Sequence, residues 1–194
     1  MIRLVKEKVY GAVRSIDAAF AIMPLKGQWR LNKKIAGGGP LMDVSIYCVQ
    51  AVCYITGMEP VAVTAQIFPV SYMEKFIEIE ETMEWQMEMP SGLMATCRTS
   101  YSEDIGFVKV ICENGWLELH PAYNYSGLKM KASDGRKFDL PLFSQQAIQL
   151  DGIARSVKNR EVSKVSGQMG RRDMKIIEAV YEAMHTGELI VINY

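Results

Sequence analysis

The run at residues 29–60, WRLNKKIAGGGPLMDVSIYCVQAVCYITGMEP, constrains the fold more than any other part of the chain. It begins with a tryptophan–arginine pair, continues through three consecutive glycines and opens into a mostly apolar stretch. Pro40 suits the first position of a helix, because its missing N–H would have no intrahelical partner there. Gly57 suits the left-handed cap at the other end, and Pro60 follows shortly after. The sequence therefore predicts one helix over residues 40–56, and its apolar character indicates that it is buried.

One narrow stripe of this helix is polar. At about 100° per residue, the stripe contains Asp43, Tyr47, Gln50 and Tyr54. Buried hydrogen-bonding groups need partners, since leaving them without partners costs free energy. Two interpretations follow. Either water or neighbouring backbone satisfies the stripe, or the stripe lines a cleft in which Asp43 and Tyr47, one turn apart, form a polar pair for a hydroxylated ligand.

Charge and composition exclude several kinds of partner. The chain has 194 residues, of which 49% are hydrophobic, enough for the core of one ordinary domain or two very small ones. Lysine plus arginine and aspartate plus glutamate both number 22, so no net charge attracts nucleic acid or an anionic membrane. No apolar run approaches the ~18 residues that a membrane helix needs. We therefore expect neither nucleic-acid nor membrane binding.

The cysteines and histidines indicate reduced thiols and no metal site. The four cysteines form no Cys-x-x-Cys motif, and two of them lie inside the apolar helix, where cysteine behaves as a small hydrophobic residue. The two histidines are far apart in the sequence, which argues against zinc. Arg14 and Asp17 interrupt the small-residue tract near the N-terminus, so we do not interpret it as a signal peptide. A reducing, cytoplasmic location is expected.

The rest of the chain is predicted to form strands first and helices later. Residues 12–23 form the first strand, and alternating or β-branched patterns predict further strands at residues 61–68, 82–89, 93–101, 107–112, 116–120, 128–131, 137–140 and 189–192. Ser144 is a plausible cap for a helix whose apolar stripe contains Ala147, Leu150, Ala154 and Val157. A second helix covers residues 172–184.

This order predicts the α+β class, with an open, mainly antiparallel β-sheet and helices packed on one face. The second face of such a sheet must meet either water or a partner subunit. The 13 methionines matter here, because several lie in predicted strands. They either fill the core or form an adaptable contact surface on the second face.

The combination of Trp-Arg, Gly-Gly-Gly-x-Leu-x-Asp-x-x-x-Tyr, a helix and Gly-x-Glu-Pro resembles the C-terminal domain of the glucose–fructose oxidoreductase and inositol dehydrogenase (Gfo/Idh/MocA) family. The segment DVSIYCVQ is most similar to the branch that has tyrosine in place of the usual histidine, which includes glucose–fructose oxidoreductase and dimeric dihydrodiol dehydrogenase. The resemblance continues to the C-terminus. Ser45 departs from it, since that branch usually has glycine there, but the Asp43–Tyr47 spacing is intact.

The resemblance implies hydride transfer between NAD or NADP and a carbon that bears a hydroxyl group, in a sugar, polyol or diol. Tyr47 matches the family's acid/base or substrate-oxygen ligand, and Asp43 matches the carboxylate that binds or orients the substrate. Further residues expected near substrate or cofactor are Trp29, Arg30, Gly38, Gly39, Gln50, Tyr123 and Tyr125. From the residues alone, Trp29 and Arg30 could instead form a structural cation–π contact. The tyrosines at 123 and 125 could instead cap an edge of the core.

The resemblance also implies a division into domains. Residues 1–11 would be the tail of a linker from an N-terminal nucleotide-binding Rossmann domain, and residues 12–194 a substrate-binding and oligomerisation domain that forms a homodimer or tetramer through the sheet. The sequence contains no strand–Gly-x-Gly-x-x-Gly–helix unit and no Glu-Lys-Pro lysine. We therefore expect the chain alone to be inactive, with NAD(P) bound mainly by the other domain. The alternative is a non-catalytic sugar-binding, sensor or assembly module of the same fold family.

Overall fold

Eight strands form one open sheet within the part of the chain that the computed structural model describes, residues 1–140, 142 and 144–194. Their order across the sheet is β7-β6-β5-β1-β4-β3-β2-β8. The strands are β1 (Val13–Ala21), β2 (Ala62–Ile67), β3 (Thr82–Glu88), β4 (Met94–Ser100), β5 (Ile105–Cys112), β6 (Gly115–Leu119), β7 (Met130–Ala132) and β8 (Ile190–Val191). The pair β1–β4 is parallel, and all other pairs are antiparallel. The predicted α+β class with a mainly antiparallel open sheet is confirmed.

Helices cover one face of this sheet. The helices are α1 (Ile2–Lys6), α2 (Lys33–Ala36), α3 (Pro40–Asp43), α4 (Ile46–Thr56), α5 (Gln145–Asn159) and α6 (Gly167–Thr186), and a short 3-10 turn covers Trp29–Leu31. Helix α4 contacts β1 and β4 in the middle of the sheet, α6 contacts β2 and β8 at one end, and α1 packs against α4. No helix in the described ranges combines the length and the apolar character that a transmembrane span requires.

The methionines of the strands belong to the core. Met83, Trp85 and Met87 point from β3 towards the helices and are almost completely buried. Their neighbours on β3, Glu84 and Gln86, point the other way, onto what we call the open face. Of the two interpretations of these methionines, core filling therefore holds for Met83 and Met87. All four cysteines are buried and free, as predicted: Cys48, Cys53, Cys97 and Cys112.

Three local predictions need correction. The predicted helix over residues 40–56 is broken between α3 and α4, because the Ser45 hydroxyl donates to the carbonyl of Leu41 and the Ser45 amide bonds to Pro40, five residues back. Such back-bonding by serine bends helices. Residues 137–140 form no strand. The second late helix begins at Gly167, five residues before the predicted start, because Ser166 caps it.

Candidate functional site

The three glycines connect α2 to α3, and two of them lie very close to other residues. Gly37 ends α2 in the left-handed conformation, with φ of 83°. A Cβ atom on Gly38 would overlap the hydroxyl of Tyr181, and a Cβ on Gly39 would lie 2.6 Å from the carbonyl oxygen of Glu80. The three glycines are therefore explained by one left-handed cap and by two positions with no room for a side chain.

Glu80 holds this turn in place from the core side. Its carboxylate is buried and accepts hydrogen bonds from the amides of Gly39, at 3.0 Å, and Leu41, at 3.2 Å. The Tyr181 hydroxyl donates to the same carboxylate oxygen at 2.9 Å. A carboxylate at a helix start is stabilised by the free amides there. Because Glu80 occupies these amides, the glycine run does not form a cradle for a phosphate group.

Asp43 ends α3 with one carboxylate oxygen satisfied and the other available. Its Oδ2 accepts hydrogen bonds from Arg30 Nε and from the Tyr101 hydroxyl, both at 2.8 Å. Burial and the neighbouring Asp43 raise the pKa of Tyr101, so that this hydroxyl remains a donor at neutral pH. No described residue donates to Oδ1. Asp43 is thus a charge-compensated carboxylate with one free acceptor oxygen.

Tyr47 lies at the start of α4 with its side chain partly exposed. Its exposed fraction is 45%, and the described residues offer its hydroxyl no hydrogen bond. Its ring packs edge-on against Phe20, with centroids 5.0 Å apart, and against Tyr123, at 5.7 Å. The aromatic packing fixes the ring while the side chain remains partly exposed.

The Thr99 hydroxyl donates to the carbonyl of Phe20 and approaches that of Pro40, and these contacts attach α3 to the end of β1.

Trp29 and Arg30 make the contact that the sequence left open. The Arg30 guanidinium lies 4.8 Å from the centre of the Trp29 ring, and it also pairs with Asp43. The structural cation–π contact is therefore present, while about half of the Trp29 side chain remains exposed. Arg30 acts on Asp43 directly, and the exposed Trp29 ring lies beside this ion pair.

The remaining residues to place are Gln50 and Tyr54 of the polar stripe and Tyr123 and Tyr125 of the segment between β6 and β7. Gln50 donates to Asp173 of α6, but its buried Oε1 has no hydrogen-bond partner among the described residues, and Tyr54 approaches the carbonyl of Lys164. The Tyr123 hydroxyl approaches the Cys48 sulfur at 3.7 Å, and burial raises the pKa of Tyr123. Tyr125 is exposed. The stripe therefore combines two hydrogen-bonded side chains, Asp43 and Gln50, with two exposed tyrosines, Tyr47 and Tyr54.

Three residues that shape the site were not among the predicted ones: Glu80, Tyr101 and Tyr181. Each reaches the site from a distant part of the chain, since Glu80 is 41 residues from Gly39 and Tyr101 is 58 residues from Asp43. Only weak signals in the sequence indicated that these three residues belong to the site. Glu80 and Glu81 are adjacent acidic residues directly before a strand, and Tyr181 lies in the helix predicted over residues 172–184. Among the described residues, no group of three or more His, Cys, Asp or Glu side chains could hold a metal ion.

Comparison with known proteins identifies the family of this chain. A family model described as the GFO/IDH/MocA C-terminal domain matches residues 1–118. The D-xylose 1-dehydrogenase [NADP(+)] of Haloarcula marismortui is 25% identical over 171 residues, which cover 85% of this chain and 47% of that protein. The D-xylose 1-dehydrogenase (NADP(+)) 2 of Haloferax volcanii is 26% identical over 194 residues, which cover 94% and 57%. The chain thus spans about half the length of the curated relatives it matches.

A solved structure extends the match to nearly the whole chain. The crystal structure of aldose-aldose oxidoreductase from Caulobacter crescentus, complexed with glycerol, superposes with a TM-score of 0.92 at 34% identity, over 98% of this chain and 59% of that one. The family model alone covers more than half of the 194 residues. The chain therefore belongs to the GFO/IDH/MocA C-terminal domain family.

Proposed function

We propose that this chain is the substrate-binding and oligomerisation domain of an NAD(P)-dependent oxidoreductase that acts on a hydroxyl group of a sugar, polyol or diol. The observation that carries the proposal is the charge-compensated carboxylate of Asp43, followed four residues later by the exposed side chain of Tyr47 at the start of α4. The names of the relatives support it, since two are D-xylose dehydrogenases and one is an aldose-aldose oxidoreductase.

Asp43 would bind and orient the substrate. Its free Oδ1 can accept a hydrogen bond from a sugar hydroxyl, and a charged acceptor makes a stronger bond than a neutral one. Arg30 and Tyr101 hold Oδ2, so the carboxylate cannot rotate without breaking two bonds. A substrate hydroxyl held in this way presents a defined carbon for hydride transfer.

Tyr47 would act as the acid or base at the reacting oxygen, as in the tyrosine branch of the family. A nicotinamide, when bound, supplies the site that accepts or donates the hydride. Tyr47 would carry the proton of the reacting hydroxyl, because oxidation of an alcohol releases that proton as the hydride leaves. The packing of the Tyr47 ring against Phe20 and Tyr123 restricts the rotation of this side chain and so the position of its hydroxyl.

The glycine run of this chain does not serve as the pyrophosphate site of a dinucleotide. The amides at the start of α3 are occupied by Glu80, so they cannot cradle the pyrophosphate. We therefore assign the remainder of NAD or NADP to an N-terminal Rossmann domain, with residues 1–11 as the end of its linker and residues 12–194 as the substrate domain. The chain alone would then be inactive.

The open face of the sheet is the surface we assign to a homodimer or tetramer. Its central part carries an Arg98 side chain that pairs with both Glu84 and Glu103. Towards β6 it carries the partly buried side chains of Phe107, Ile111 and Trp116 beside the Lys109–Glu118 ion pair. A mixed surface of this kind suits a subunit interface with a polar part.

The test is Tyr47→Phe in the protein that carries the nucleotide-binding domain, assayed with sugars and NAD(P). Loss of a general acid or base lowers kcat/KM by about 100-fold or more, while the fold is kept. Tyr72→Phe is the matched control, because Tyr72 is an exposed tyrosine on the 69–75 loop. Unchanged turnover in Tyr47→Phe would contradict the proposed role. Sugar binding without any turnover in the unaltered protein would favour a non-catalytic sugar-binding module.

A further inference from the structure

Helix α5 packs against almost nothing in the described part of the chain. None of its 15 residues is buried. Leu150 is 67% exposed and Val157 is 74% exposed, values unusual for large apolar side chains on a regular helix. An isolated helix of about 15 residues is marginally stable in water, and helices in proteins owe most of their stability to packing of an apolar face. A partner is therefore needed to hold α5.

Most of the apolar side chains of α5 lie on one face, and Ile148 is the exception. At helical spacing, Leu150, Ile153 and Val157 fall on one side of the axis, together with Ala147 and Ala154. The opposite side carries charged groups, among them Asp151 and Arg155. We call the first set, residues 147, 150, 153, 154 and 157, the α5 stripe. This pattern is typical of a helix that buries one face against another body.

The start of α5 is attached beside the candidate site, and the segment after α5 contacts the far end of α4. At its start, Gln145 Nε2 donates to the carbonyls of Asn124 and Tyr125, at 3.3 Å and 3.4 Å, next to the Tyr123 ring that packs on Tyr47. After its end, the chain returns to α4, where the Tyr54 hydroxyl lies 3.5 Å from the carbonyl of Lys164. Helix α5 therefore spans the side of the molecule on which Tyr47 and Tyr54 of α4 are exposed.

We infer that the α5 stripe is the docking surface for the nucleotide-binding domain of the same polypeptide. The inference rests on the proposed function, since a domain that brings a nicotinamide to Tyr47 must approach the side that α5 spans. Two observations identify the domain that would cover the α5 stripe. The chain spans about half the length of its NADP-dependent relatives, and the glycine run of the chain cannot hold a pyrophosphate. The docked domain would bury the stripe and hold α5 against the cleft.

Hydrogen exchange in the 194-residue chain and in the full polypeptide tests this inference. We expect the α5 amides to exchange about 100-fold more slowly in the full polypeptide, because docking removes local opening, while α6 amides are protected in both. Leu150→Ser with Val157→Ser removes the α5 protection. The matched control is Ile148→Ser, which changes an apolar residue, 54% exposed, on the opposite side of α5 and leaves protection unchanged.

Several results would overturn the inference. Equal exchange of α5 in both proteins would do so, as would protection in the 194-residue chain that rises with protein concentration, which would assign the stripe to a second copy. A source polypeptide without a nucleotide-binding domain would also overturn it. The readout does not depend on catalysis. Protection of α5 with full activity of Tyr47→Phe would leave the docking intact and refute the proposed role of Tyr47.

Discussion

Replacement of Gly39 by alanine tests whether the turn before α3 is held by Glu80. The added Cβ would lie 2.6 Å from the Glu80 carbonyl oxygen and 2.9 Å from its carboxyl carbon. Backbone must move to relieve the first contact, and overpacking of this kind costs about 1–3 kcal/mol. The movement also weakens the charge-assisted hydrogen bond from Gly39 to Glu80, at a further cost of about 1.5–3 kcal/mol. We expect a loss of about 2.5–6 kcal/mol in the free energy of unfolding.

Thermal and urea denaturation measure this loss directly. For a chain of this size, 1 kcal/mol corresponds to about 2–4 °C in Tm, so Gly39→Ala should lower Tm by roughly 5–24 °C. Gly170→Ala is the matched control, because Gly170 lies in α6 with no atom within 4 Å of the added Cβ. Alanine should stabilise that helix by about 0.5–1 kcal/mol. The reasoning would be refuted by a Gly39→Ala protein as stable as the wild type, or by equal losses in both variants.

Two further predictions concern buried titratable groups. Burial raises the pKa of Asp173 from its ordinary 3.8, so its contribution to folding stability is complete below that pH and is lost as the pH rises through the raised value. The stability of the wild type relative to Asp173→Asn should therefore fall as the pH rises from about 4, as measured by urea denaturation, and a constant difference would contradict this. Burial also raises the pKa of Cys48 to about 12 and that of Cys53 to about 11. Iodoacetamide at pH 8 should label these two thiols only after denaturation, and rapid labelling of the native protein would show that they are not buried thiols.

Sequence patterns predicted the sheet well, because they are local. Alternation placed Met83, Trp85 and Met87 on one face of β3, and all three lie in the core. The Pro40 and Gly57 signals gave correct helix ends, at the first residue of α3 and at the left-handed cap of α4. The break between α3 and α4 was not predicted, because it depends on one hydroxyl, that of Ser45, competing for a backbone carbonyl.

The site was only half predictable for a different reason. Asp43 and Tyr47 were predicted from the spacing of one helical stripe, although the break between α3 and α4 separates them in the structure. The partners that orient Asp43 and the glycine run are Tyr101, Glu80 and Tyr181, which tertiary folding brings from other elements. The stripe of α5 was also predicted from spacing. Periodicity states that one face is apolar, but it does not state what covers that face.

The central claim is that this chain supplies the substrate half of a two-domain oxidoreductase, and the mass of the polypeptide in its source cells tests it most directly. An antibody raised against residues 12–194, used on a denaturing gel of a fresh extract, gives that mass. The account predicts a species larger than 21.9 kDa by a nucleotide-binding domain, on the order of 100–150 residues. A species of 21.9 kDa would contradict it and would make a binding or assembly module the leading account.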